Sequence, residues 1–281
     1  LFWKRFILCK RQKWVVNYSR NNLKNTDFGN STKIKNFKDR YFADPFVISK
    51  GDTRYIFVED YSFKLKKGTI SLIQIDKEDN QKIYEKIIEE PFHMSFPFVF
   101  EFQDDLFMVP ETSEAKSIRL YKCINFPDKW EYCYDLISDI KSVDTIIIKK
   151  NKFYYLLTTK SNFDDFNSQL EIYSSDSPIS KNWKPSKLNP VYFNLKNGRN
   201  GGLIINDNEV LRVSQSFGIN EIGDNQYGRE ISIQKIEILN STIIKEKELF
   251  QIKPNFKNNI LGIHHLNSKD DFTVFDYCIY D

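Results

Sequence analysis

At 281 residues and 33.4 kDa the chain is long enough to bury a substantial core as one large domain or two ordinary ones, without metal or disulfide staples. Its 41 Lys and Arg stand against 38 Asp and Glu, and the resulting +3 is scattered, which excludes the basic field of a nucleic-acid binder. Aromatic residues supply 15% of the chain, with 24 Phe and 15 Tyr, a bias toward pleated strands over packed helices.

The opening LFWKRFILCK is broken by Lys4, Arg5 and Lys10 and reads as neither a signal peptide nor a membrane anchor; no later apolar run is long enough for a transmembrane segment. The next strand signal is WVVNYS around Trp14. From Asp44 onward one grammar recurs: an apolar strand, a short polar turn and a second apolar strand. It appears as ADPFVISKGDTRYIFVED, SFPFVFEFQDDLFMVPET, VDTIIIKKNKFYYLLTT, RNGGLIINDNEVLRVSQ and HHLNSKDDFTVFDY. The turns GDT, QDD, KKN, NDN and KDD carry the Gly, Asn and Asp of hairpins.

Aligned on their first residues, the units start near Asp44, Phe96, Asp144, Asn200 and His264. Fifteen residues further stand Glu59, Glu111, Thr159 and Gln215 in the first four; the fifth has a shorter turn and leaves the register. Two more strands follow each of the first four hairpins, for instance GTISLIQI and KIYEKIIE after the first, QLEIYSS and the region around PVYF after the third. Four antiparallel strands per unit predict an all-β, five-bladed β-propeller. A β-sandwich also has short strands and polar turns but does not predict a constant register. The fifth unit lacks strands, and WVVNYS is expected to complete its sheet. The predicted organisation is an N-terminal arm over 1–35 that supplies this closing strand, then the propeller over 36–281.

Unit starts converge on the axis of a propeller, so the candidate site collects Asp44, Asp144, Arg199 and His264, with Glu59 and Glu111 one hairpin away. Carboxylates at an apolar mouth are candidate general acids and bases: Asp44, Glu111 and Asp144 are the catalytic candidates. Asp44 and Asp144 serve equally well as caps on turns leading into strands. Of the neighbours His264 and His265 only one can face the axis, and His264 shares the register of Asp44. Arg199 precedes glycines that permit close approach of a ligand, and Tyr227 and Arg229 in QYGREISI are placed to reach over the rim; a solvated strand start is the alternative for both. Glu59, Arg199, Tyr227, Arg229 and His264 form the expected substrate-binding set.

Cys9, Cys123, Cys133 and Cys278 make no CxxC pair and no His cluster at ligand spacing, so no metal or other cofactor is expected. Free thiols point to the cytoplasm, although Cys123 and Cys133 flank INFPDKWEY and could also face each other across adjacent strands. No phosphate loop, GxSxG or CxxC is present, leaving glycan chemistry or glycan binding.

At ADPFV, SFPFVFE, MVPETS, FPDKW, VDTIII, GRNGG, YGREISIQKI and GIHHLN the chain resembles the N-terminal propeller domain of glucosamine inositolphosphorylceramide transferases. Similar domains accompany sugar formyltransferase-like domains in bacterial surface-polysaccharide clusters, and the five-bladed propellers of glycoside hydrolase family 43 are more distantly similar. The resemblance implies an axial carbohydrate site, with a fused or partner transferase domain supplying transfer chemistry. It also implies that Asp44 matches the hydrolases' base. Their second Asp falls at Phe96 or Pro97, and Asp144 stands where their acid Glu is expected, so the hydrolytic set is incomplete. The expected function is therefore recognition of a glycan or sugar-containing ligand in surface polysaccharide or glycolipid biosynthesis. The alternatives are a glycosidase with Asp44 as base and Glu111 or Asp144 as acid, and a protein-interaction scaffold.

Overall fold

The computed structural model describes residues 11–35, 37–160, 166–206, 209–219, 223 and 225–281. The opening decapeptide with Cys9, and part of the loop before Tyr227, lie outside them. Among the described residues, apart from two short 3-10 turns, every regular element is a β-strand, and none is a helix long and apolar enough to cross a membrane.

The first sheet holds Arg40–Lys50, Thr53–Ser62, Lys67–Ile75 and Gln81–Ile88 in chain order, and the second holds Ser95–Phe102, Asp105–Glu111, Ser117–Asn125 and Lys129–Ser138. The third runs Ser142–Lys150, Phe153–Lys160 and Gln169–Ser175. Its outer edge is divided between two short strands, Lys184–Pro185 and Tyr192–Phe193, rather than formed only around PVYF. Besides a two-stranded ribbon of Gly218–Ile219 and Asn225–Gln226, a nine-stranded sheet remains, which contains Ile260–Gly262 paired to Phe272–Tyr280 and two four-stranded runs. One is Arg199–Asn206, Glu209–Gln215, Ile231–Leu239 and Ile244–Ile252; the other is Leu266–Lys269, Phe272–Tyr280, Gln12–Ser19 and Thr32–Lys33. A single parallel pair, Ile204 with Ser268, joins these runs. Gln12–Ser19 pairs antiparallel with Phe272–Tyr280 along its full length, setting Trp14 opposite Cys278.

The first strands of these runs touch in a ring. Arg40–Lys50 packs on Ser95–Phe102, which meets Ser142–Lys150, then Arg199–Asn206, then Leu266–Lys269, which returns to Arg40–Lys50. The apolar cores lie between neighbouring sheets. Phe57, Leu72, Met108 and Tyr121 fill the space between the first and second, while Tyr18, Phe42, Ile56 and Phe272 fill that between the last run and the first. Each such side chain contributes about 1.5–3 kcal/mol by leaving water.

One device recurs at the start of each ring strand. The pairings Ala43–Glu59, Ser95–Glu111 and Val143–Thr159 are each followed by a bulge with one extra residue on the ring strand, and Arg199–Gln215 is followed by a similar slip at Asn200/Gly202. The bulged residues Asp44, Phe96 and Asp144 take left-handed φ values of 52°, 44° and 52°. Pro45 and Pro97 follow two of them, where a missing N–H costs no ladder bond. In the fourth run the strained position is Gly202, φ 126°, where a Cβ would lie 2.0 Å from the Leu266 carbonyl oxygen.

Cys123 and Cys133 do not face each other. Trp130 stands opposite Cys123, Cys133 falls in a bulge of its strand, and both thiols and that of Cys278 are free.

Candidate functional site

The bulges turn Asp44 and Asp144 out of the strand pleat, and both become buried between sheets. Asp44 Oδ2 accepts the Phe96 backbone N–H at 3.2 Å, while the Asp44 N–H donates to Asp276 Oδ2 at 2.8 Å. Between these two carboxylates lies the His264 ring, with Nδ1 2.7 Å from Asp276 Oδ1 and Nε2 3.1 Å from Asp44 Oδ1. Both nitrogens face carboxylate oxygens, so the ring holds two protons. Burial opposes that charge, but Asp276 and then Asp44 overcome it and raise the His264 pKa to about 10. For Asp44 burial likewise favours the neutral acid, yet the charge and hydrogen bond of His264 bring its pKa down to about 2.

Asp144 is held in a second ion pair. Arg199 Nε donates to Asp144 Oδ2, and Gln215 Nε2 donates to the same oxygen at 3.1 Å. Asn200 Nδ2 donates to the Asp144 backbone carbonyl at 2.7 Å, fixing the bulge from the neighbouring sheet. Asn200 is itself held by Arg212 Nη1 at 3.1 Å, and the fully buried Arg212 makes a two-pronged pair with Glu246, both contacts 2.7 Å. Arg199 lies 4.6 Å over the Tyr227 ring, and the Tyr227 ring meets His264 edge-on at 5.2 Å. Trp14 stacks on His264 at 3.8 Å and 26°, and itself meets Tyr227 edge-on at 6.1 Å. Asp144, Arg199, Tyr227, His264 and Asp44 thus form one chain of direct contacts drawn from distant parts of the sequence.

Glu59 and Glu111 have no such cation within hydrogen-bond reach among the described residues. Burial, together with the nearby charges of Asp44 and Glu111, raises the Glu59 pKa well above the ordinary carboxylate range. Glu111 is pushed up to about 8 by burial and then by Asp144, with Arg199 pulling the other way. The closest basic group to Glu59 is His93 Nε2 at 3.7 Å; His93 Nδ1 accepts the Gly68 N–H, and burial lowers its pKa. The Arg229 guanidinium donates to the carbonyl of Leu261, which packs with Trp14, Ala43 and Tyr227, at 3.1 Å, and it joins none of the carboxylates among the described residues. His265 points away from His264 and packs edge-on against Phe46 and Phe96.

Asp276, Gln215 and Trp14 were not among the sequence candidates for this site. The signal for Asp276 was available as the lone acid of the apolar strand FTVFDYCIY, but the short fifth hairpin moved it off the fifteen-residue count. Asp44, His264 and Asp276 offer three ligand atoms within 4.8 Å of one another, a spacing that suits a divalent cation. With both ring nitrogens against carboxylate oxygens, the contacts present are those of an imidazolium clamped by two carboxylates, and Asp276 Oδ1 also accepts the His265 N–H at 3.0 Å.

Structural comparison bears on the fold. The catalytic domain of a family 62 α-L-arabinofuranosidase from Coprinopsis cinerea superposes with a TM-score of 0.61 at 11% identity, covering 94% of this chain and 97% of that one. A thermostable family 43 glycoside hydrolase gives 0.53 at 12% identity, over 75% and 76% of the two chains. The chain thus shares the all-β, propeller-type architecture of these enzymes. In sequence, glucosamine inositolphosphorylceramide transferase 1 of Arabidopsis thaliana is 34% identical over 255 residues, 86% of this chain and 32% of the plant protein. The protein of the same name from Oryza sativa subsp. japonica is 30% identical over 217 residues, 75% of this chain and 28% of its own length. The chain therefore spans about a third of these relatives. Residues 27–270 match the family model described as glucosamine inositolphosphorylceramide transferase 1, N-terminal, and the chain belongs to that family.

Proposed function

We propose that the chain is a five-bladed propeller, closed by its N-terminal arm, whose axial pocket binds a carbohydrate without hydrolysing it, in the cytoplasmic building of surface polysaccharide or glycolipid. The ring of five first strands and the pairing of Gln12–Ser19 with Phe272–Tyr280 support the blade count and the arm over 1–35. The observation that carries the binding reading is that both in-register aspartates are held by cations from another sheet, Asp44 by His264 and Asp144 by Arg199. A carboxylate with a pKa of about 2 is a weak general base at neutral pH. Glu59 and Glu111, their pKa values raised, can as neutral acids both donate to and accept from sugar hydroxyls, and Trp14 and Tyr227 supply aromatic surface around His264. The glycolipid setting rests on the relatives' names and a transfer step on a domain beyond the matched region.

One observation favours the glycosidase alternative: the pKa values of Asp44 and Glu111 are split, one ionised and one protonated, as base and acid require. Calorimetric titration of wild type and Asp44→Asn with amino-sugar and uronic-acid glycosides, with product analysis, separates the two. Binding without product, weakened in Asp44→Asn by about 1.5–3 kcal/mol, supports recognition. Product formed by wild type and abolished in the variant refutes it.

A further inference from the structure

The ring strands that carry the candidate site at their starts enclose a second space at their far ends. It is a cavity of about 590 Å³, within the range of small-ligand sites, and all five first strands contribute to it. Its wall is apolar and aromatic, with Phe46, Phe98, Phe100, Phe102 and Leu203 inside and Ile205 standing 55% exposed at the mouth. The polar side chains within it are already committed. Asn267 accepts the Val47 N–H at 2.9 Å and donates to the Leu203 carbonyl, while Ser268 shares a 2.9 Å hydrogen bond with Thr273. The uncommitted polar side chains, Gln103 among them, belong to the exposed part of the lining, so the interior suits hydrocarbon. The rim differs: Lys149 and Lys269 line it, and neither is ion-paired to another described residue. Lys149 Nζ lies 5.7 Å from the Tyr154 ring centre. Exposed Glu101 shares the rim, leaving one net positive charge among these three groups.

We propose that this cavity binds the chain of a single-chain anionic amphiphile, its headgroup held by Lys149 and Lys269. An apolar interior gives such a ligand most of its affinity, and two ammonium groups at the mouth fix the sign of its head. The site is at the opposite end of the ring from Asp44 and does not depend on the carbohydrate reading.

Isothermal titration of the intact chain with decanoate and decyltrimethylammonium below their micelle concentrations, and with decanol below its solubility limit, tests it. Wild type should bind decanoate roughly tenfold or more tightly than the cationic chain, and the exposed pair Lys149→Glu/Lys269→Glu should reverse that order while decanol is unchanged. Ile205→Trp, which narrows the mouth at an exposed position, should weaken all three, and Asp44→Asn should leave all three as in wild type. No decanoate binding, equal binding of both charged chains, or a preference that survives the charge reversal overturns the assignment. Sedimentation with phosphatidylglycerol vesicles in the absence of decanoate binding would replace the free amphiphile by a membrane surface, and so also overturn it.

Discussion

Replacing Glu111 by Gln removes a titrating proton while keeping nearly the same shape, and the buried position of Glu111 sets how much stability follows. The unfolded chain releases this proton near 4.5, whereas the folded chain retains it to about 8 because burial and Asp144 disfavour the charge. Between those values the native state holds one more proton than the unfolded state. Its contribution is complete below the lower value and is lost as pH rises through the upper one, at about 1.4 kcal/mol per pH unit. Across the whole window the difference of 3.5 units corresponds to about 5 kcal/mol, and to about 3 kcal/mol of it by neutral pH. Relative to wild type, Glu111→Gln should therefore gain stability steadily as pH rises from about 5 to about 8, and level off above that. Urea unfolding of both proteins at several pH values in this window gives the difference directly, and taking the difference cancels the neighbouring carboxylates to first order. Two stability curves that stay parallel from acid to alkaline pH would refute the account of Glu111 as a buried, protonated acid.

Other perturbations read other parts of the site. His264→Gln leaves Asp44 and Asp276 facing each other without a cation and should destabilise the fold by about 3–5 kcal/mol, measured by denaturant unfolding at neutral pH. Because the pKa of His264 rises from 6.5 to about 10, the stability it contributes is complete below the first value and disappears as pH passes the second; the variant should lack that alkaline loss. Glu246→Gln strands the buried Arg212 and should cost about 3–5 kcal/mol in the same measurement, with affinity for the sugar falling as Asn200 releases the Asp144 carbonyl. Gly68→Ala would place a methyl 2.3 Å from the Met94 carbonyl oxygen and 2.7 Å from Glu59 Oε1, so thermal stability and sugar affinity should fall together.

Much of this site can be read from spacing alone. Asp44, Asp144, Arg199 and His264 come together because each unit start is set by its hairpin, and hairpins announce themselves through alternating apolar residues and turn residues. The bulges were not legible: nothing in VDTIII distinguishes a bulged Asp144 from a regular strand residue, since the left-handed φ is imposed by the partner strand and by Asn200. Asp276 escaped because its hairpin is short, and the outer edge of the third sheet because two-residue strands carry no periodicity. The neighbours of Arg229 in sequence place it at the rim but say nothing of its partner, the Leu261 carbonyl.

The pairing of Gln12–Ser19 with Phe272–Tyr280 also has a temporal meaning. On the ribosome, the segment carrying Trp14 emerges ahead of all five ring strands and must wait for Phe272–Tyr280 before its neighbour exists, whereas the first three sheets can each zip up from local hairpins. Trp14, His264 and Asp276 meet only at that last docking step. Until then Asp44 has neither its imidazolium nor the acceptor for its own N–H. A nascent chain stalled before residue 264 would thus hold its first three sheets but lack the ion pair at Asp44, and the proposed axial site would be complete only once the N-terminal strand has docked.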